Sequence, residues 1–461
     1  MFNRIIFFNL LIFLLVSFTT VYAQDIEQQT IYKPKMSLEI PVIKSFDLPT
    51  PPGFDEKSIS PITAKEASAI ALLNQPKIAV AKSQLFEAKG KAKSVSSSNN
   101  PSLMAGASYT AQSRPYGNNP SGQNADSSSL YSMDASLRKL IFDFNHTRSL
   151  IISALAKESA SFQNLTKVQA DVVLDVKRSF YKHLQNEKLT ELYELNLENQ
   201  KEHLNMARER YRAGVGLPFD VVRAQAAVAE AVFNLTQANA EFSLSRLNLA
   251  ISMGIDPRVP LETVALQEDE VEISNLESLY DQALTIRPEI LSAQFELESA
   301  KKELDAMRSG NAPVISAQAN WNSRDRRLLP DYGYFTMGVY ADFTLYDGGL
   351  NAGKIEQAQA VEMACQAKYE LARQEVVRDV SSAYLLLQNA KQALSMSIIE
   401  SESAIEAHRL ANGRYKAGVG ILLDVLDSQN AMLKAEMNVI SANSLLNQAR
   451  AELKWAIGTG L

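Results

Sequence analysis

The chain has 461 residues and a formal net charge of −6, with 46 Lys and Arg against 52 Asp and Glu. This mild acidity argues against a dedicated nucleic-acid binder, which needs a basic surface to replace phosphate counterions. A hydrophobic fraction of 46% excludes wholesale disorder, and the single cysteine, Cys365, excludes an internal disulfide. With only 19 Gly and 16 Pro, the composition favours long helices over a many-turned β protein.

Residues 1–23 have the pattern of a signal peptide. Arg4 precedes an apolar run from Ile5 to Phe18, and small residues up to Ala23 resemble a cleavage site. The run is shorter than the roughly 20 residues of a spanning helix, so cleavage is favoured over a retained membrane anchor. No later stretch is apolar enough to span, which leaves an exported soluble protein or a β-barrel. Residues 24–61 are Pro-rich and are predicted to be extended.

The remainder of the chain is predicted to be an internal duplication. Residues 210–221 and 414–425 are identical at eight of twelve positions, at an offset of 204. The first repeat is predicted over 62–254 and the second over 275–458. The inter-repeat segment, 255–274, joins them. Because a unit this long exceeds the period of solenoid repeats, the pattern indicates duplication of a whole substructure.

Each repeat is predicted to run helix, strand, loop, strand, very long helix, turn, helix. The first helices, about 62–98 and 275–309, contain Pro76 and Pro288, which should break or kink them. The long helices, about 145–213 and 350–417, contain no proline and are rich in good helix formers. Each would be about 100 Å long. The return helices are predicted over 220–254 and 424–458.

Four segments alternate between apolar and polar residues and are predicted to be strands. They cover about 102–112, 130–142, 314–323 and 334–346, and residues 113–129 form a loop between the first two. Each is about 10 residues long, enough for a tilted strand to cross a bilayer. Ordinary half-buried sheets alternate in the same way, but an export signal without a spanning helix favours a transmembrane barrel.

A barrel of four strands cannot close, since the smallest bacterial outer-membrane barrels have eight. Open sheet edges are not tolerated in lipid, so the chain must contribute its strands to an oligomer. Two chains would supply eight strands and three would supply twelve. Small polar residues on the inward face indicate a water-filled lumen, which favours three chains.

Three motifs complete the pattern: Tyr211-x-x-Gly214-x5-Asp220-Val221, Tyr415-x-x-Gly418-x5-Asp424-Val425 and Tyr346-Asp347-Gly348-Gly349. With the duplication, they make the chain similar to the TolC-like outer membrane efflux family. The resemblance implies a mainly α homotrimer with a small transmembrane β portion. In it a 12-stranded β-barrel in the outer membrane continues into a 12-helix α-barrel that spans the periplasm of a Gram-negative bacterium. The inter-repeat segment would feed an equatorial belt.

The family resemblance also implies a function and partners. The chain would be the passive exit duct of a tripartite efflux or type I secretion system. It would dock a periplasmic adaptor (membrane fusion) protein and work with an inner-membrane pump of the RND, ABC or MFS type. Efflux of small molecules and secretion of a protein would use the same conduit, so both stay open at this point.

The turns between the long and return helices, 214–219 and 418–423, are predicted to be functional tips. Glycine supplies the left-handed conformation of a helix C-cap, and apolar residues between the glycines would be exposed at a turn. The resemblance implies that the tips dock the adaptor through Gly214, Val215, Gly216, Leu217, Gly418, Val419, Gly420 and Ile421. Plain helix capping accounts for part of this pattern.

A periplasmic gate is expected from Asp220, Tyr415, Asp424 and Asp427. Asp424 and Asp427 lie one helical turn apart, and rings of carboxylates around a narrow mouth would favour cations. Aspartates that simply face solvent are the alternative for this pair, and helix capping is the alternative for Asp220 and Asp424. In the family, an aspartate matching Asp220 and a tyrosine matching Tyr415 are linked to an arginine that Gly420 replaces here.

The sequence contains no constellation that supports catalysis. His146, His183, His203 and His408 are scattered through helices, and Cys365 lies mid-helix. We therefore expect no enzyme activity, no cofactor, no metal site and no nucleic-acid partner. The alternative functions are an exported coiled-coil scaffold or interaction protein without a pore and, less favoured, an exported enzyme with dispersed catalytic residues.

Overall fold

The structure is a computed structural model that describes residues 61–112, 128–258, 261–264, 275–325, 328 and 332–460. All of them belong to one compact unit, residues 55–461. The predicted signal peptide lies outside the described residues, as do almost all of 24–61, most of the loop 113–129 and much of the inter-repeat segment. None of the described helices is both long enough and apolar enough to cross a membrane.

The two repeats contain the same order of elements. The first comprises α1 (Ala64–Asn74), α2 (Pro76–Ser97), β1 (Ser102–Gln112), β2 (Ser128–Phe142), α3 (His146–Arg212) and α4 (Pro218–Met253). The second comprises α5 (Leu276–Ile286), α6 (Pro288–Arg308), β3 (Val314–Asp325), β4 (Gly333–Asp342), α7 (Leu350–Lys416) and α8 (Leu422–Ala456). The mainly helical, duplicated fold predicted from the sequence is therefore confirmed. The helix breaks predicted at Pro76 and Pro288 are present, and each proline occupies the first turn of the second helix.

Three predicted boundaries need correction. β4 ends at Asp342 instead of residue 346, because Asp347 begins a turn by accepting hydrogen bonds from the N–H groups of Gly349 and Asn351 at 2.9 and 2.8 Å. α4 and α8 begin two residues earlier than predicted, at Pro218 and Leu422. Their N-caps are apolar and make no side-chain capping hydrogen bond. Asp220 and Asp424 thus lie inside the first helical turn, where a carboxylate still favours the positive helix end.

The helices form a layer that is four helices wide along its whole length. α3 and α7 have 67 residues each and run the full distance, about 100 Å. Near the sheet, α3 packs between α2 and α6, and α6 also packs on α7. Near the tips, α3 packs between α4 and α8, and α8 also packs on α7.

A heptad seam on α7 holds part of this layer together. Its buried residues are Val376, Val380, Ala383, Leu387 and Ala390, which recur at steps of four and three residues. They form one core cluster with Leu446, Leu453 and other residues of α8, and with Leu279 and Ala283 of α5. A strict 3.5-residue period lets long helices wrap around each other without losing contact.

The strands form one antiparallel sheet in the order β1-β2-β3-β4. The register aligns Leu103, Leu137, Ala319 and Met337 across one face. It aligns Ser102, Arg138, Gln318 and Gly338 across the other. One face is thus apolar and the other largely polar. Within the described residues, β1 and β4 each pair on one side only, and the apolar side chains of their shared face are exposed.

Candidate functional site: the two helical tips

The turns that join α3 to α4 and α7 to α8 have the same backbone geometry. Gly214 and Gly418 adopt φ values of +76° and +79°. The N–H of Gly214 donates to the Tyr211 carbonyl, and the N–H of Gly418 donates to the Tyr415 carbonyl, both at 3.0 Å. The following valines donate to the carbonyls of Arg210 and Arg414 at 3.0 Å. This is the Schellman motif, which requires a left-handed residue and therefore favours glycine.

The second glycine of each tip lies against the preceding helix end. A Cβ atom at Gly216 would lie 2.8 Å from the backbone N of Tyr211, and one at Gly420 would lie 3.0 Å from that of Tyr415. A side chain at Gly420 would therefore be in tight contact with the end of α7 and would require a shift of a few tenths of an ångström.

The predicted docking residues between the glycines lie on the surface. Val215 and Val419 are 70% and 72% exposed, and Leu217 and Ile421 are also exposed. Each valine follows the left-handed glycine that caps a long helix, and its side chain points into solvent. Both tips thus present apolar side chains to solvent at the end of the helical layer.

Tyr415 occupies a different environment from the exposed residues of the tips. It is 4% exposed and belongs to a core cluster with Leu204, Leu422 and Val425. The Arg210 guanidinium lies 4.6 Å from the centre of the Tyr415 ring, and its Nη1 donates to the Tyr415 carbonyl oxygen at 2.9 Å. The first tip thus holds the second through a charge-assisted hydrogen bond and a cation–π contact.

Asp220 lies near the same tyrosine. Burial raises the pKa of the Tyr415 phenol above its ordinary value; the Arg210 charge lowers it and the Asp220 charge raises it. The phenol therefore stays protonated at neutral pH. The structure brings Asp220 and Tyr415 together, and it adds Arg210, which the sequence analysis did not single out. The one available signal was that Arg-Tyr ends both long helices, at 210–211 and 414–415.

Asp424 and Asp427 lie apart from this contact, on the exposed side of α8. The opposite side of the same turns is buried through Leu422, Val425 and Leu426. Asp427 lines a cavity of about 470 Å³ between α4 and α8, together with Arg223, Glu230 and Lys434. At the duplicated position in the first repeat, Asp427 corresponds to Arg223, so the pair of acidic residues belongs to the second tip alone.

A buried polar layer lies directly above the tips. His203 of α3 and His408 of α7 have their ring centres 6.3 Å apart, and Gln429 of α8 donates to Asn196 of α3 at 3.1 Å. The buried Nδ1 atom of His203 has no hydrogen-bond partner among the residues that the structure describes. Burial lowers the pKa of both histidines. The sequence pattern of scattered histidines did not reveal that these two meet between three helices.

In the part of the chain that the structure describes, no three His, Cys, Asp or Glu side chains lie close enough together to hold a metal ion. The candidate site therefore consists of apolar docking residues, a buried Arg–Tyr link and exposed carboxylates.

Comparison with known proteins identifies the family. The profile of the family described as "Outer membrane efflux protein" matches residues 68–254 and 279–459. The chain belongs to this family. The probable efflux pump outer membrane protein TtgC of Pseudomonas putida KT2440 is 26% identical over 373 residues, which cover 78% of this chain and 75% of TtgC.

Solved structures of low sequence identity share the fold. The outer membrane protein VceC of Vibrio cholerae superposes with a TM-score of 0.75 at 18% identity, over 86% of this chain and 96% of VceC. The CmeC outer membrane channel of Campylobacter jejuni gives 0.77 at 15% identity, over 86% of each chain. These likenesses concern the fold.

The family assignment decides between the functions left open by the sequence. The chain is an outer membrane channel protein that extends into the periplasm and serves as an efflux exit duct. It is a passive conduit and not an enzyme. The assignment argues against a coiled-coil scaffold without a pore. The relatives of this chain are named as components of efflux pumps.

Proposed function

We propose that three copies of this chain close into one duct, with a 12-stranded β-barrel continued by a 12-helix α-barrel. The observation that carries the proposal is the four-stranded sheet with two unpaired edges and an exposed apolar face. Because four is an even number, β1 of one copy runs antiparallel to β4 of the next, and every edge is paired when the ring closes. The apolar face then contacts lipid and the polar face lines the lumen.

The edges of the helical layer support the same assembly. α4 and α7 form its two sides near the tips, and both carry exposed apolar residues there. These include Val222 and Phe233 on α4 and Met396 and Ile399 on α7. A second copy placed against each side would bury these residues, which are otherwise costly to expose over helices of this length. The length of α3 and α7 suits a tunnel that crosses the periplasm.

The tips are proposed to dock a periplasmic adaptor protein. Six apolar turns, two from each copy, would ring the end of the tunnel far from the membrane. Val215, Leu217, Val419 and Ile421 would contact apolar residues of the adaptor. The energy of transport would come from an inner-membrane pump of the RND, ABC or MFS type. The relatives include outer membrane proteins of antibiotic and toluene efflux pumps, which favours small-molecule efflux over type I secretion.

The second tip is proposed to form the gate. In a closed ring of three copies, Asp424 and Asp427 would lie on the lumen side and create a negative potential in the mouth. The contact of Arg210 with Tyr415, near the charge of Asp220, would set the position of the second tip relative to the first. It would take the place of the arginine that the family resemblance implies at the position of Gly420.

The test is the native mass of the protein extracted by detergent from the outer-membrane fraction, followed by conductance in planar bilayers. A trimer with discrete, cation-selective channels is the expected result. A monomer or dimer, or a trimer without conductance, would contradict the proposal. Truncation of the tips should abolish co-purification with the adaptor and leave the trimer intact, which separates docking from assembly.

A further inference from the structure

The turn between β2 and α3 has an unusual backbone. Phe144 and Asn145 have φ values of +54° and +67°. The duplicated positions, 204 residues later, are Gly348 and Gly349, with φ values of +67° and +91°. Glycine adopts this conformation freely, whereas a bulky residue such as Phe is strained in it. The first repeat therefore keeps an aromatic side chain where the turn itself favours glycine.

The same carboxylate contact holds both turns. Asp143 Oδ2 accepts a hydrogen bond from the N–H of Thr147 at 2.8 Å, and Asp347 Oδ2 accepts one from the N–H of Asn351 at 2.8 Å. The two turns therefore have the same hydrogen bond, and the turn at Gly348 reverses the chain without an aromatic side chain. The role of the Phe144 side chain must therefore lie in its contacts with other residues.

Phe144 extends the apolar face of the sheet towards the helices. A bulge after Leu140 places Phe142 opposite Ile315, on the same face as Leu137. The rings of Phe142 and Phe144 lie 4.8 Å apart, and both side chains are about half exposed. The aromatic pair marks the point where the apolar face ends and the helical layer begins.

A basic cavity lies immediately beyond this aromatic pair. Phe144 lines a cavity of about 560 Å³ with Arg148 of α3 and Lys302 and Arg308 of α6. Asp305 is the one carboxylate among its lining residues, and it pairs with Lys302 at 3.1 Å and Arg308 at 3.7 Å. Arg148 makes no ion pair with any described residue. Three cations around one carboxylate leave an excess of positive charge.

The duplication shows that these charges are not a requirement of the fold. Arg148 corresponds to Ala352 at the offset of 204 residues. In the first helices of the repeats the offset is 212 residues, as between Pro76 and Pro288, so Lys302 corresponds to Gly90 and Arg308 to Ser96. Phe144 and Arg148 belong to the first repeat and Lys302 and Arg308 to the second, and none of the four keeps its aromatic or basic side chain at the duplicated position.

We propose that this cavity binds the headgroup phosphate of an anionic glycerophospholipid from the membrane leaflet nearest the helices. The lipid's acyl chains would lie along Phe142 and Phe144. This inference rests on the proposed function, in which the apolar face of the sheet contacts the bilayer. Cations directly below such a face attract anionic headgroups, and the adjoining aromatic surface distinguishes a lipid from a free anion.

The proposal is tested by lipid binding to the delipidated protein in neutral detergent, measured by native mass spectrometry. The probes are phosphatidylglycerol, phosphatidylcholine and inorganic phosphate. The variant Arg148→Gln/Arg308→Gln is compared with Arg212→Gln/Arg414→Gln, which removes the same charge from exposed arginines at the tips. We expect the first variant to bind phosphatidylglycerol roughly tenfold or more weakly, and the control to bind it as the wild type does.

Three outcomes would overturn the site. They are equal affinity of both variants for phosphatidylglycerol, equal binding of phosphatidylcholine by the wild type, and full competition by inorganic phosphate, which would indicate a simple anion site. The variant Phe144→Gly gives an independent check. It should retain or raise the melting temperature, because it relieves the strained turn, and still weaken phosphatidylglycerol binding. A loss of melting temperature with unchanged lipid binding would contradict the role of Phe144.

The oligomeric state of the same samples separates this inference from the proposed function. A conducting trimer that does not discriminate between the lipids would defeat only the lipid site. A protein that forms no conducting trimer would defeat both proposals, since the apolar face would then have no bilayer to contact.

Discussion

The two tips have nearly the same sequence and the same turn, yet the residues beside them differ in burial. Tyr211 is 50% exposed, whereas its duplicate Tyr415 is 4% exposed. Val222 is exposed and its duplicate Leu426 is buried. The comparison teaches that duplication copies the backbone of a turn but not its surroundings.

The helical layer explains the difference. α8 lies between α3 and α7, so its first turns are covered on two sides. Near the tips, α4 packs on α3 and forms the side of the layer, so the first turns of α4 are covered on one side only. The residues that flank the second tip, Tyr415, Val425 and Leu426, therefore pack in the core of the single chain, whereas those that flank the first tip are left available to a neighbouring copy or to a partner.

The largest difference in stability is expected between variants of the two duplicated tyrosines, Tyr415 and Tyr211. Tyr415→Ala removes a buried ring from the cluster of Leu204, Leu422 and Val425, and it should lower the free energy of unfolding by about 3 kcal/mol. Tyr211→Ala should change it by less than about 0.5 kcal/mol. Urea unfolding of both variants in the same detergent measures the difference. Equal losses would show that the tips are equivalent after all.

A smaller effect is expected at the arginines that precede these tyrosines. Arg210→Ala removes the hydrogen bond and the ring contact to Tyr415 and should cost about 1–2 kcal/mol. Arg414→Ala is the matched control, because Arg414 is exposed and should lose almost nothing. The rate of limited proteolysis at the second tip should rise for the first variant only. A rise for both variants would show that the contact between Arg210 and Tyr415 does not hold the second tip.

Acid should loosen the second tip more than the first. Burial lowers the pKa of His203 and His408, so the opened state binds protons more readily than the packed state. The stabilisation is therefore complete above about pH 6.5, the ordinary histidine value, and is lost as the pH falls below it. Gln429 and Glu202 raise the pKa of His203, whereas the charges of His408 and Lys416 lower it further.

Proteolysis of the second tip at pH 5 and pH 7.5 measures this effect. We expect faster cleavage at pH 5, and we expect the double variant His203→Gln/His408→Gln to reduce the dependence on pH. At the duplicated positions the chain has Ala407 and Leu204, so no second histidine pair exists to act on the first tip. An acid response of equal size at both tips would contradict the assignment.

The smallest effect on stability is expected for the acidic pair of the second tip. Asp424→Asn with Asp427→Asn should change the free energy of unfolding by less than about 0.5 kcal/mol, because both side chains are exposed. It should nevertheless lower cation selectivity, measured as the reversal potential in a salt gradient. Asp220→Asn is the control from the first tip and should shift the potential less. An unchanged potential in the double variant would remove these residues from the gate.

Local features of the sequence predicted most of the fold. Long helices without proline, strands with strict alternation and helix breaks at Pro76 and Pro288 all follow from preferences of neighbouring residues. The end of β4 was predicted too late, because the alternation continues past Asp342 while the Asp347 turn draws the chain out of the sheet. The Arg210–Tyr415 contact joins residues in different repeats, and no local pattern reports such a pair.

By itself, the sequence determined the duplication, the lengths of α3 and α7, the two-faced sheet and the glycine caps of both tips, because each depends on residues within a few positions along the chain. Only the tertiary structure decided which tip is buried, where Arg210 lies and how Phe144 meets Arg148, Lys302 and Arg308. Burial and electrostatic contact depend on which helix faces which. Two tips of nearly identical sequence therefore differ in their surroundings, because the helix that follows the second lies inside the helical layer and the helix that follows the first lies at its side.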